Sequence, residues 1–117
     1  LDGTWAYDSR ANTWTELEPR GPVPSARYGH TMAYDLTAGR LVMFGGQDYA
    51  GTCLDDAWAY DSAANIWTEL EPLQTQARPA ARAGHAMVYD PASGLLLVFG
   101  GHSREGSLND TWTCAPG

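Results

Sequence analysis

Apolar and polar positions in this 117-residue chain alternate in short bursts, and no stretch keeps a helical apolar period for long. His30-Thr-Met-Ala-Tyr34 alternates with period two and predicts a strand. Asp35-Leu-Thr-Ala-Gly39 follows, a short polar connection closing on a glycine free to take positive φ, which predicts a hairpin turn. Arg40-Leu-Val-Met-Phe44 is a continuous apolar run, the pattern of a strand covered on both faces. Gly45 and Gly46 then break the strand and let neighbouring backbone come close. Ala57-Trp-Ala-Tyr60 predicts a third strand, and Asp61-Ser-Ala-Ala-Asn65 its turn. Asp61 suits an Asx-type turn, and Asn65 tolerates the left-handed conformation. Ile66-Trp-Thr-Glu-Leu70 predicts a fourth strand, polar on alternate positions and therefore outermost.

This order of elements is written more than once. WAYDSRANTWTELEP, from Trp5 to Pro19, returns from Trp58 to Pro72 with Ala63 in place of Arg10 and Ile66 in place of Thr13. Arg27-Tyr-Gly-His30 recurs as Arg82-Ala-Gly-His85, and Phe44-Gly-Gly46 as Phe99-Gly-Gly101. Leu95-Leu-Leu-Val-Phe99 is the second apolar run. Leu1-Asp-Gly-Thr-Trp5, Leu54-Asp-Asp-Ala-Trp58 and Leu108-Asn-Asp-Thr-Trp112 are three copies of one element. The period is about 54 residues, with length changes confined to the connections.

Four antiparallel strands per period, the middle ones covered on both faces, describe a sheet that must stack against copies of itself. Radial stacking of four-stranded sheets is the propeller solution. R-x-G-H, an apolar strand ending in F-G-G, L-[DN]-D-x-W-x-Y-D and W-T-E-L, in that order and over nearly the whole chain, resemble the kelch motif. The resemblance implies an all-β chain of β-propeller blades, each of four antiparallel strands, forming an incomplete ring in one chain. With strands named a to d from the inside outward, residues 1–20 supply c and d of a first blade. Residues 21–72 form a complete blade, and 73–117 supply a, b and c of a further one. The last copy departs from the motif, because Cys114 stands where Tyr7 and Tyr60 do and no W-T-E-L strand follows. A propeller closes with roughly four to eight blades. The expectation is therefore a ring completed by neighbours, within a longer propeller or as a homo-oligomer. In the second case the Trp14 strand of one chain would complete the Cys114 blade of the next.

Composition narrows the partners. A net charge of −7 and the absence of lysine argue against nucleic acid, whose phosphates need clustered cations. No apolar run approaches the ~20 residues that span a bilayer, so no membrane partner is expected. Cys53 and Cys114 lack zinc-ligand spacing and leave a disulfide open. The start shows neither Met nor a signal-peptide pattern and reads as cut from something longer or already processed. No cofactor is called for, and no compartment is indicated.

Repetition separates scaffold from site, because a single active site needs asymmetric residues. Arg27, His30, Gly45, Gly46, Trp58 and Trp67 recur, and so do Arg82, His85, Gly100, Gly101 and Trp112; all read as structural. The imidazoles and guanidinium groups are expected to bond backbone or turn carboxylates. Asp8, Asp35, Asp61 and Asp90 read as turn formers, Glu16 and Glu69 as an exposed outer strand, and all five tryptophans as packing. What does not repeat lies in the b–c loops (45–56 and 100–110) and the d–a loops (18–26 and 71–81). Both kinds of loop emerge on one face of an antiparallel blade, where binding residues concentrate. The candidates there are Gln47, Asp48, Tyr49, His102, Ser103, Arg104 and Glu105. Tyr and Arg are types favoured at binding hot spots.

Three functions compete on these residues. One is a binding scaffold that takes a protein or carbohydrate partner on the loop face, as most kelch propellers do. Another is part of a catalytic kelch propeller. The copper-radical oxidase pattern needs two Tyr, two His and a Tyr–Cys crosslink, and here Tyr49, Cys53 and His102 lie in loops without a second unrepeated His. The sugar-isomerase pattern would have to draw on His102, Arg104 and Glu105. A third is purely architectural, a unit whose role is ring assembly.

Overall fold

A computed structural model describes residues 3–70 and 78–114, and every described element is a strand. The first blade contributes a hairpin of β1 (Thr4–Asp8) and β2 (Thr13–Leu17). The second is a four-stranded antiparallel sheet in sequence order: β3 (Thr31–Asp35), β4 (Arg40–Phe44), β5 (Ala57–Asp61) and β6 (Ile66–Leu70). The third holds β7 (Ala86–Asp90), β8 (Leu95–Phe99) and, beyond a small hairpin, β11 (Thr111–Cys114). That hairpin, β9 (His102–Ser103) with β10 (Gly106–Ser107), stands where the sequence predicts only loop. The innermost strand starts at Thr31 rather than His30, because pairing with β4 begins at Thr31↔Phe44.

The turns form as their residues dictate. Asp61 Oδ1 accepts from the Ala63 and Ala64 amides at 3.0 and 3.1 Å. Asp8 Oδ1 does the same for Arg10 and Ala11 at 2.9 and 3.2 Å. Asn12 and Asn65 close these turns at φ of 55° and 57°, and in each the preceding tyrosine hydroxyl donates to the asparagine Oδ1 at 2.6 Å. Asn can take this left-handed geometry, and a side-chain bond back to the strand holds it there.

The main core lies on one face of the second blade. Met43, Trp58, Tyr60 and Trp67 are buried together, with Leu17 and Leu41 packed against them. Since Leu17 belongs to β2, this face looks toward the first blade and is called the leading face. The opposite, trailing face meets the third blade, where β7 lies against β3. There the His85 ring stands edge-on to Phe44, with centroids 5.4 Å apart, and its Nε2 hydrogen-bonds Thr31 Oγ1 at 2.6 Å.

Two tryptophans depart from the packing expectation. Trp5 and Trp14 are exposed although their repeat partners Trp58 and Trp67 are buried. His30 is likewise exposed, whereas His85 is buried. The cause is the same in each case: among the described residues no sheet covers those faces. Residues 71–77 of the second d–a loop lie outside the described residues.

Candidate functional site

Each complete b–c connection is anchored from beneath by one arginine. The Arg27 guanidinium reaches both Asp56 carboxylate oxygens, at 2.6 and 3.0 Å, and the Gly45 carbonyl at 3.1 Å. Trp58 Nε1 donates to Asp56 Oδ2 at 2.8 Å. In the third blade, Arg82 holds Asp110 at 2.7 and 2.9 Å and the Gly100 carbonyl at 3.0 Å, while Trp112 Nε1 donates to Asp110 at 2.7 Å. A planar fork of donors suits this carboxylate-plus-carbonyl arrangement, and Lys cannot reproduce it. Both arginines are buried, so every donor needs a partner.

These contacts set the protonation states. Burial pushes the Asp56 carboxyl up, but the hydrogen bonds from Arg27 and Trp58 outweigh it and leave it below its ordinary 3.8. Hydrogen bonds from Arg82 and Trp112 hold Asp110 far below the usual carboxylate range. Burial lowers the His85 imidazole from 6.5; a hydrogen bond with the Phe44 backbone opposes it, and the Arg82 and His30 charges add to the lowering.

The pH dependence follows with a definite sign. A depressed histidine binds its proton more readily when unfolded, so its contribution is present above pH 6.5 and falls away as the pH drops below that. The two depressed aspartates contribute above pH 3.8 and lose that contribution as the pH falls further. Thermal midpoints measured from pH 8 to 3 should therefore decline in two stages. His85→Gln should flatten the first stage; an unchanged first decline in that variant would rule out His85 as its cause.

On this anchored base the loop residues divide into three kinds. Gln47 and His102 meet: His102 Nε2 lies 3.2 Å from Gln47 Oε1, joining the b–c loops of adjacent blades. They occupy the same place after Gly-Gly in their copies, and each pairs with the backbone leading into its inner strand, Tyr28↔Gln47 and Ala83↔His102. This pairing brings the b–c loops and the ends of the d–a loops to one edge of the blades.

Asp48, Ser103 and Glu105 shape the loops themselves. Asp48 Oδ1 accepts from the Ala50 and Thr52 amides, both at 3.0 Å. Ser103 Oγ accepts from the Glu105 amide at 3.1 Å and turns the small hairpin. Tyr49 and Arg104 stand out from the loops, Tyr49 at 85% exposure. The sequence reading missed Tyr28, an exposed aromatic beside Gln47. The available signal was its failure to repeat, since Ala83 occupies that place in the next copy.

No group of three His, Cys, Asp or Glu side chains among the described residues could hold a metal ion. Cys53 is a free thiol whose sulfur lies 3.8 Å from the His102 carbonyl. His102, Arg104 and Glu105 share one tight hairpin, and the bond at His102 Nε2 goes to an amide oxygen.

Repeated antiparallel blades, the second and third each locked by Arg, Asp and Trp beneath a Gly-Gly turn, define a kelch-type β-propeller segment without ring closure. The chain belongs to the kelch-repeat family: residues 1–116 match the KLHDC2/KLHL20/DRC7 Kelch-repeats domain. It is 37% identical over 107 residues to the human multiple epidermal growth factor-like domains protein 8, covering 91% of this chain and 4% of that protein. It is 31% identical to the Arabidopsis thaliana acyl-CoA-binding domain-containing protein 4, covering 89% of this chain and 15% of that one. With the Schizosaccharomyces pombe tip elongation aberrant protein 3 it shares 27% identity, covering 92% and 12%. The chain thus spans 4% to 15% of the length of these curated relatives.

Proposed function

We propose that the chain is a blade segment of a binding propeller, which takes a protein or carbohydrate partner on the face formed by its b–c loops. The Gln47–His102 hydrogen bond carries this reading, because it makes one surface out of two loops from different blades. Tyr28, Tyr49 and Arg104 supply the large exposed side chains of that surface. Aromatic rings and guanidinium groups bring much contact area for little ordering cost, which is why they anchor interfaces. The rest of the ring comes from further blades on the two open faces, whether from copies of the chain or from other repeats.

The test uses the intact chain as bait against a displayed random-peptide library and a glycan array. A ligand enriched in either format should be lost by the Tyr49→Ala/Arg104→Ala double variant. Its unfolding midpoint should stay put, since exposed loop substitutions shift stability by about 0.5 kcal/mol or less. Retention of the ligand by the double variant, or no enrichment by the parent chain, counts against the loop face.

A further inference from the structure

Three side chains where the b–c loops meet the backbone entering the inner strands form one group. Tyr28 and Gln47 exchange two backbone hydrogen bonds: the Tyr28 amide donates to the Gln47 carbonyl at 3.0 Å, and the Gln47 amide to the Tyr28 carbonyl at 2.8 Å. Residues opposed in this way in an antiparallel pair send their side chains to the same side. The Tyr28 ring, 56% exposed, therefore stands beside the Gln47 carboxamide. His102 joins them from the next blade through the 3.2 Å contact between its Nε2 and Gln47 Oε1.

That contact fixes what the pair still offers. An amide oxygen only accepts, so His102 Nε2 carries the proton, and Nδ1 of the neutral ring is an acceptor. The Gln47 amide nitrogen keeps its N–H donors. Neither Gln47 Nε2 nor His102 Nδ1 has a hydrogen-bond partner among the described residues. Donors and an acceptor are thus oriented by one another and set next to an aromatic ring. The group is also asymmetric, as a single site requires. In the third blade Ala83 takes the place of Tyr28 and is fully buried, so no ring stands opposite His102 on its own blade.

The apolar surface beside this group narrows the occupant. Among the described residues, the exposed large apolar side chains of the loop face are Tyr28, Tyr49 and Val23. The others lie on the strands or, for Leu36, in the a–b turn at the opposite end. Two phenol rings and one valine fall short of the desolvated apolar centre around which a protein interface is built. A pyranose needs less. Its C–H face lies flat on one aromatic ring, and its hydroxyls, each both donor and acceptor, take a few well-placed polar groups. Resting on the loop-face reading, we infer that the partner is a carbohydrate: a pyranose ring lies on Tyr28, with neighbouring hydroxyls bonded to the Gln47 N–H groups and to His102 Nδ1.

The test applies the full chain to an array of immobilised oligosaccharides. Any pyranoside retained is then titrated as its free methyl glycoside while the side-chain NMR signals of Gln47 and His102 are followed. Both signals should move on titration. Tyr28→Ala should weaken binding at least about tenfold, because the ring contact is lost with the hydrogen bonds it aligns. Tyr28→Phe keeps the ring and should keep the affinity, which separates stacking from any loss of fold. Gln47→Leu should weaken binding as well. An array that retains no pyranoside overturns the inference, and so does a retained one indifferent to Tyr28→Ala and Gln47→Leu. The two readings fail separately. A blank array beside a displayed peptide that Tyr49→Ala/Arg104→Ala releases overturns the carbohydrate and leaves the loop face standing. A blank array with a blank peptide library overturns both.

Discussion

Trp58→Ala is expected to destabilise the chain by about 3–5 kcal/mol, the usual cost of truncating a buried tryptophan. The ring is 8% exposed, belongs to the core with Met43, Tyr60 and Trp67, and donates to Asp56 at 2.8 Å. Its loss leaves a cavity and removes one of the bonds that keep the Asp56 carboxylate paired with Arg27. Trp5→Ala is the internal control. Trp5 holds the same repeat position but is 55% exposed, and Gly3 stands where Asp56 does relative to Trp58. Its truncation should cost little beyond about 0.5 kcal/mol. Urea denaturation of both variants checks the pair. Equal losses would mean that the repeat position, rather than burial, sets the cost.

Gly45→Ala is the second large effect, expected at about 2–4 kcal/mol against about 1–2 for Gly100→Ala. Both glycines sit at φ of 71°, so both variants bear the strain of a side chain in the left-handed region. Only at Gly45 does a new methyl group also collide with rigid structure. It would lie 2.7 Å from the Arg82 carbonyl of the next blade, and 2.9 Å from the His85 ring. That approach is part of the joint between blades, because the next amide along, that of Gly46, donates to the same Arg82 carbonyl at 2.8 Å. At Gly100 the nearest atom is the Leu108 carbonyl at 3.5 Å, an ordinary contact. Thermal unfolding of the two variants separates backbone strain from collision. A Gly100 variant as unstable as the Gly45 one would refute the assignment of the difference to the blade joint.

The candidate site was legible only in outline. Failure to repeat marked the loops as the place where copies differ, and it would have marked Tyr28 as well. It gave no view of Gln47 meeting His102, because that contact runs between residues 55 apart in sequence and on different blades. Nor could polarity distinguish Asp48, whose carboxylate is spent on its own loop, from Tyr49, which projects from it. A polar residue in a loop reads the same in either role until the path of the backbone is known.

Local geometry followed directly from the repeated residues. The Tyr7–Trp14 and Tyr60–Trp67 ring pairs have identical centroid separations of 4.9 Å, and their Asp–Asn turns share the same bonds and dihedral angles. Strand order, turn chemistry and hairpin register all lie within reach of near neighbours, so identical words produce identical pieces. Burial did not follow in this way. Trp14 is exposed and Trp67 buried, and His30 is open while His85 is enclosed. Whether a side chain is covered depends on the sheet stacked opposite it, and those sheets come from distant parts of the fold, where no local pattern reaches.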